Sequence, residues 1–130
     1  MNNNINEKDT RSQEELFRFI QDLEFIQCLS NPFYLHYLSN SNYFKEPEFL
    51  NYLSYLQYFK KKEYMKYITY SRSLVFLDLI QYDFFRQALA YREFIDYLYM
   101  KIREDWLEIP SITSSIQTEA MNTISNQNQS

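Results

Sequence analysis

Apolar side chains recur through the middle of this chain at three- and four-residue intervals, the spacing of one helix face. Placed at about 100° per residue, Leu16, Phe19, Ile20, Leu23 and Ile26 share an arc, which predicts the core stripe of a first helix. Ser12-Gln13-Glu14-Glu15 fits the capping box, in which serine and glutamate satisfy each other's orphan amides, so that helix is expected to begin at Ser12. Asn31-Pro32 ends it and opens a short second helix carrying Tyr34, Leu35, Tyr37 and Leu38, with Asn as N-cap and Pro at the first helical position. Pro47 starts a third helix by the same logic, with Phe49, Tyr52, Leu53, Leu56 and Phe59 on one face. The charged stretch Lys60–Glu63 leads into another turn or two around Tyr64, Met65, Tyr67 and Ile68.

Ser71 or Ser73 is placed to cap a helix from about Leu74 to Leu89. That segment is apolar on almost every side, which puts it at the centre, with Leu77, Ile80 and Phe84 buried. A last helix spans about Glu93 to Leu107, turning Phe94, Ile95, Leu98, Ile102 and Trp106 inward, and Pro110 stops it. Short connections favour neighbours of opposite direction. The expectation is an all-α fold, an antiparallel helical bundle of four or more helices. It occupies residues 12–108 as one domain.

The flanks lack this periodicity. Residues 1–11 are Asn-rich, and from Ser111 onward Ser, Thr, Asn and Gln dominate around isolated Ile112, Ile116 and Ile124. Such segments bury too little apolar surface to offset their ordering entropy. Disordered tails are therefore expected over 1–11 and 109–130.

Composition sharpens this picture. Apolar residues make up 45% of the 130, far too many for a wholly disordered chain. Glycine is absent, which argues against nucleotide-binding loops and tight hairpins, both of which need positive φ angles. Net charge is −4, and the only basic block is Lys60-Lys61-Lys62, so no direct nucleic-acid contact is expected. That block reads either as a solvated connection or as a phosphate contact. A single cysteine, Cys28, excludes an internal disulfide and fits a reducing compartment. Met1-Asn2-Asn3-Asn4 lacks a signal pattern, and the longest apolar run, Leu74 to Ile80, is broken at Asp78. A soluble intracellular protein with no membrane partner is expected.

Chemistry is sparse. His36 is the single histidine, so no metal site can rest on several imidazoles. Cys28 near a helix C-terminus faces the negative end of the dipole, which disfavours a thiolate, and a Cys28–His36 pair is set aside. Glu104-Asp105 reads as a solvated face. No enzymatic activity, cofactor, metal or small-molecule substrate is expected.

Aromatics are the unusual feature, because thirteen tyrosines exceed what a core this size requires. Tyr55 and Tyr58 lie away from the inward stripe of the third helix, beside Asn51, and Phe25 lies opposite the stripe of the first. These side chains suit a protein–protein interface, or a second layer of the same domain covers them. Asn31, Pro32 and Tyr34 sit at the neighbouring turn. Gln27 projects into an apolar arc and requires a hydrogen bond, to a connecting loop or to a partner.

Over about Phe17 to Asp105 the chain resembles the Mediator subunit 31 family. The resemblance rests on Leu23-Glu24-Phe25-Ile26-Gln27-Cys28-Leu29, Asn31-Pro32-Phe33-Tyr34-Leu35, Tyr43-Phe44-Lys45, Phe49-Leu50-Asn51-Tyr52-Leu53-Ser54-Tyr55-Leu56, Tyr58-Phe59-Lys60, Glu63-Tyr64, Leu79-Ile80-Gln81-Tyr82 and Phe85-Arg86, in order. It departs from the family where Asn42 replaces a usual Gly, Phe59 a common Trp and Lys62 a Pro, and where Ser71 and Ser73 replace frequent Pro and Cys. The resemblance implies a nuclear, non-catalytic subunit of the middle module of the Mediator coactivator. Such a subunit contacts other Mediator subunits, chiefly the N-terminal part of subunit 7 with its proline-rich stretch, and RNA polymerase II indirectly. A tyrosine-rich helix surface is compatible with an extended proline segment. The patch expected to bind it comprises Phe25, Asn31, Pro32, Tyr34, Asn51, Tyr55 and Tyr58. The alternative is a free-standing helical adaptor for proline-rich or helical peptides.

Overall fold

The computed structural model describes the backbone of residues 3–105 and 109–128, and the side chains of residues 8–103 and 114–127. Eight α-helices follow one another there: α1 (Asn3–Cys28), α2 (Pro32–Asn40), α3 (Pro47–Tyr55), α4 (Lys62–Met65), α5 (Arg72–Leu79), α6 (Asp83–Ala88), α7 (Arg92–Asp105) and α8 (Ile109–Asn128). Short 3-10 segments at Tyr43–Lys45 and Leu56–Lys60 flank α3, and no strand occurs among the described residues. The fold is all-α.

Local signals place several boundaries. The Asn31 side chain accepts the Phe33 amide at 3.0 Å, and Pro32 stands at the first position of α2, where its missing N–H is no loss. Pro47 opens α3 in the same way. Ser71 precedes α5 without a side-chain cap, and Ser73 is fully buried inside it.

Three expectations are corrected. The first helix runs upstream to Asn3, so Ser12–Glu15 stands within it and caps nothing. No Pro or Gly interrupts the polar residues before Ser12, and an exposed helix tolerates them. Its stripe is covered in part: Leu16 is 58% exposed and Ile20 42%, whereas Phe19 and Leu23 are half-buried against the core and Ile26 is fully buried.

The expected central helix is two helices, α5 and α6, with an elbow at Ile80–Tyr82. Side chains satisfy carbonyls around the break. Arg86 Nη1 donates to the Ile80 carbonyl at 2.7 Å, and Gln81 Nε2 donates to the Leu77 and Leu53 carbonyls at 3.0 and 3.2 Å. Leu77 and Ile80 are buried as expected, but Phe84 is half-buried, its ring stacked on Tyr82.

Residues 109–128 form α8 instead of a disordered tail. Pro110 lies in its first turn, so the residue expected to stop α7 also fits the start of the next helix. Ile116 and Ala120 of α8 enter the main core fully buried.

That core is one cluster. It joins Ile26 of α1, Leu35 and Leu38 of α2, Leu53, Leu56 and Phe59 from the third segment, and Phe76, Leu77 and Leu79 of α5. Phe85 and Ala88 of α6, Phe94, Ile95 and Leu98 of α7, and Leu29, Ile80 and Leu89 from the turns between helices belong to it as well. Trp106 and the side chains of Glu104 and Asp105 lie outside the described residues.

Candidate partner-binding surface

The α-helix of α3 tightens into a 3-10 turn at Leu56, and this decides where the tyrosines go. At about three residues per turn instead of 3.6, Tyr52, Tyr55 and Tyr58 fall nearly in line. The sequence pattern aimed Tyr58 away from the core. In the structure it is half-buried and turned toward α1.

Asp22 of α1 is the anchor, and sequence reasoning missed it. Only 3% of this residue is exposed. Its carboxylate accepts the Tyr52 hydroxyl at 2.6 Å and the Tyr58 hydroxyl at 3.1 Å, so the buried charge is met by two donors from the third segment. Burial raises the pKa of both hydroxyls far above the usual tyrosine value, and the hydrogen bond and charge of Asp22 add to it. Burial also raises Tyr34 and Tyr55. These phenols are therefore neutral hydrogen-bonding groups at ordinary pH.

From this anchor a belt of rings extends both ways. Tyr55, half exposed, stacks on Tyr52 at 6.0 Å between centroids and lies 5.3 Å from Tyr58. Tyr58 meets Tyr64 edge-on at 5.1 Å, and Phe19 links Tyr64 to exposed Tyr67. On the other side Phe25 contacts Tyr52, Phe49 and Tyr34, and Tyr34 stacks on exposed Tyr37, which neighbours Tyr43. The belt thus joins half-buried rings to exposed ones, which combines a firm base with accessible aromatic faces.

The expected patch divides accordingly. Phe25, Tyr34, Tyr55 and Tyr58 come together in the belt, and Asn51 is exposed on α3. Pro32 is buried, and the Asn31 carboxamide oxygen holds the Phe33 amide, so these two shape the turn into α2. The i, i+3, i+6 spacing of Tyr52, Tyr55 and Tyr58 was the available signal for a ring row. Nothing local marked Asp22 as buried.

The remaining candidates have structural partners. Gln27 Oε1 accepts the Thr69 amide at 3.1 Å, tying α1 to the loop before α5. His36 Nδ1 donates to the Leu89 carbonyl at 2.8 Å, which leaves Nε2 to accept from Asn40 at 3.1 Å. Lys60 pairs with Asp78 of α5. Cys28 is an exposed free thiol. Among the described residues, no group of three or more His, Cys, Asp or Glu could hold a metal ion.

The arrangement defines an all-α protein with a continuous aromatic belt across α1 to α4. The sequence model of the Med31 family, described as SOH1, matches residues 16–110, which contain the entire belt. The chain belongs to this family. A Dictyostelium discoideum protein named for mediator of RNA polymerase II transcription subunit 31 is 49% identical over 39 residues, 30% of this chain and 22% of that relative. Mediator of RNA polymerase II transcription subunit 31 of Arabidopsis thaliana is 59% identical over 29 residues, 22% of this chain and 15% of that relative. The matched stretches therefore span less than a quarter of either relative.

Proposed function

We propose that this chain is a non-catalytic subunit of Mediator acting in RNA polymerase II transcription in the nucleus. Family membership over residues 16–110 carries the reading. At finer grain, it sits in the middle module and bridges gene-specific regulators to the polymerase through protein contacts alone. Its chief partner is the N-terminal part of subunit 7, whose proline-rich stretch lies along the aromatic belt.

The belt supports that choice of ligand. An extended proline helix is stiff before binding and offers ring faces and free carbonyls. Tyr55, Tyr37 and Tyr43 present accessible rings, and protonated phenols can donate to carbonyls. Tyr55 is the central contact, with Tyr58 beside it, Phe25 and Tyr34 further along the belt beyond Tyr52, and Asn51 at the edge. Asn31 and Pro32 fix the course of α2 next to it.

Affinity purification of the tagged chain followed by mass spectrometry tests the assignment. Mediator subunits should co-purify in stoichiometric amounts; a set of unrelated partners would instead favour a free-standing adaptor. For the surface, Tyr55→Ala should weaken binding of the partner's N-terminal segment at least tenfold without changing the thermal midpoint by more than a few degrees. Normal binding by Tyr55→Ala, or simple unfolding, would remove this tyrosine from the site.

A further inference from the structure

All but the first two residues of the C-terminal helix α8 lie beyond the stretch that matches the family, yet it packs against α5, α6 and α7, on elements other than those carrying the aromatic belt. We infer that the face formed by α5, α6 and α7 is a helix-binding surface, and that this chain fills it with its own α8 as a detachable intramolecular ligand. Three observations support this.

First, the inward residues among the described side chains of α8 form a narrow stripe. Ile116, Ala120, Thr123 and Ile124 stand at i, i+4, i+7 and i+8, the pattern of a docked amphipathic helix. Ile116 and Ala120 are fully buried, and Ile124 packs against the core. Thr123 is nearly buried with its hydroxyl returned to the Glu119 carbonyl at 2.9 Å, so no unsatisfied donor faces the bundle.

Second, α8 is a poor helix on its own. Ser, Thr, Asn and Ile fill most of Ile109–Asn128, and all of them rank below Ala, Leu, Glu and Lys in helix propensity. Its stability must come from docking. Third, most of its turns show solvent a polar side. Among the described residues, only Ile116 and Ala120 of the fully buried core come from α8, so its departure leaves the other members in place. The surface therefore takes a helix with branched or small apolar residues at every fourth position.

The test uses the full chain and a fluorescent peptide of residues 112–128. Two variants release α8 in different ways: Ile116→Asp with Ala120→Asp charges the stripe, and Met121→Pro breaks the helix at an exposed position. Both should unfold cooperatively and bind the peptide saturably, at least tenfold more tightly than the wild-type chain binds it. Wild type should resist because its own helix is present at an effective concentration on the order of millimolar. A scrambled peptide should bind neither. Loss of cooperative unfolding in both variants would make α8 an integral part of the core and overturn the inference. So would a folded variant that ignores the peptide, or a wild-type chain that binds it equally well.

Discussion

Removing the Tyr52 hydroxyl tests whether the Asp22 carboxylate organises the aromatic belt. Asp22 is 3% exposed and accepts from Tyr52 at 2.6 Å and Tyr58 at 3.1 Å. A hydrogen bond to a charged group contributes roughly 1.5–3 kcal/mol net, because the unpaired charge would stay desolvated. Tyr52→Phe deletes one donor and keeps the ring that contacts Phe25 and stacks on Tyr55. The expected loss is about 2 kcal/mol, or about 8 °C in Tm at roughly 4 °C per kcal/mol for a chain this long. Tyr58→Phe removes the longer bond and should cost somewhat less.

The double Phe variant strands a buried carboxylate and should cost more than the sum of the two. Asp22→Ala supplies the closing corner of the cycle: in that background Tyr52→Phe should cost less than about 0.5 kcal/mol. Urea unfolding followed by helical circular dichroism gives all the free energies. If Tyr52→Phe costs the same with and without Asp22, the hydroxyl–carboxylate bond is not what joins α1 to α3, and ring packing alone must do so.

Leu77 is fully buried at the centre of the core, so Leu77→Ala should destabilise by about 2–5 kcal/mol in the same assay, and a near-neutral result would contradict that placement. Asn42 holds φ at 65°, in the left-handed region, so Asn42→Gly should leave the melting temperature unchanged or higher while Asn42→Ala costs about 1 kcal/mol; an Ala variant as stable as wild type would show that the turn relaxes. Tyr52 and Tyr58 have folded-state pKa values above the ordinary 10.0, so their contribution is complete below pH 10 and is lost as pH rises through the folded values. Tm should therefore fall above pH 10, and by less in the double Phe variant; an equal fall would assign the effect to other groups.

Helix existence was legible wherever a local rule acted. Asn31-Pro32 announced α2 because a carboxamide and a missing N–H answer two local demands of a helix start. Asn42, standing where the resembling family has Gly, adopts the one positive φ found among described non-glycine residues. Most of what failed depended on features that the hydrophobic pattern does not carry. The hydrophobic pattern from Leu74 to Leu89 is continuous through the elbow, and carbonyl bonds from Gln81 and Arg86 stabilise a break the pattern does not contain. Tyr58 was aimed wrongly because a 3.6-residue period was extended across a 3-10 segment. For α8 the fourfold spacing of Ile116, Ala120 and Ile124 was present but diluted among polar residues. Asp22 was invisible, since its donors lie 30 and 36 residues away.

The elbow at Ile80–Tyr82 also bears on how so small a domain closes. A straight helix across that segment would be a rod about 24 Å long, apolar on almost every side. Sheathing such a rod takes a full ring of neighbours along its whole length. At this chain length the ratio of surface to volume is unfavourable, and much of the chain must serve as outer wall. Folding the rod at Ile80 replaces one long cylinder with two short arms, α5 and α6, that shield each other where they meet, as Phe76 and Phe85 do at 6.4 Å. The enclosure needed shrinks accordingly, and helices of only eight and six residues suffice at the centre.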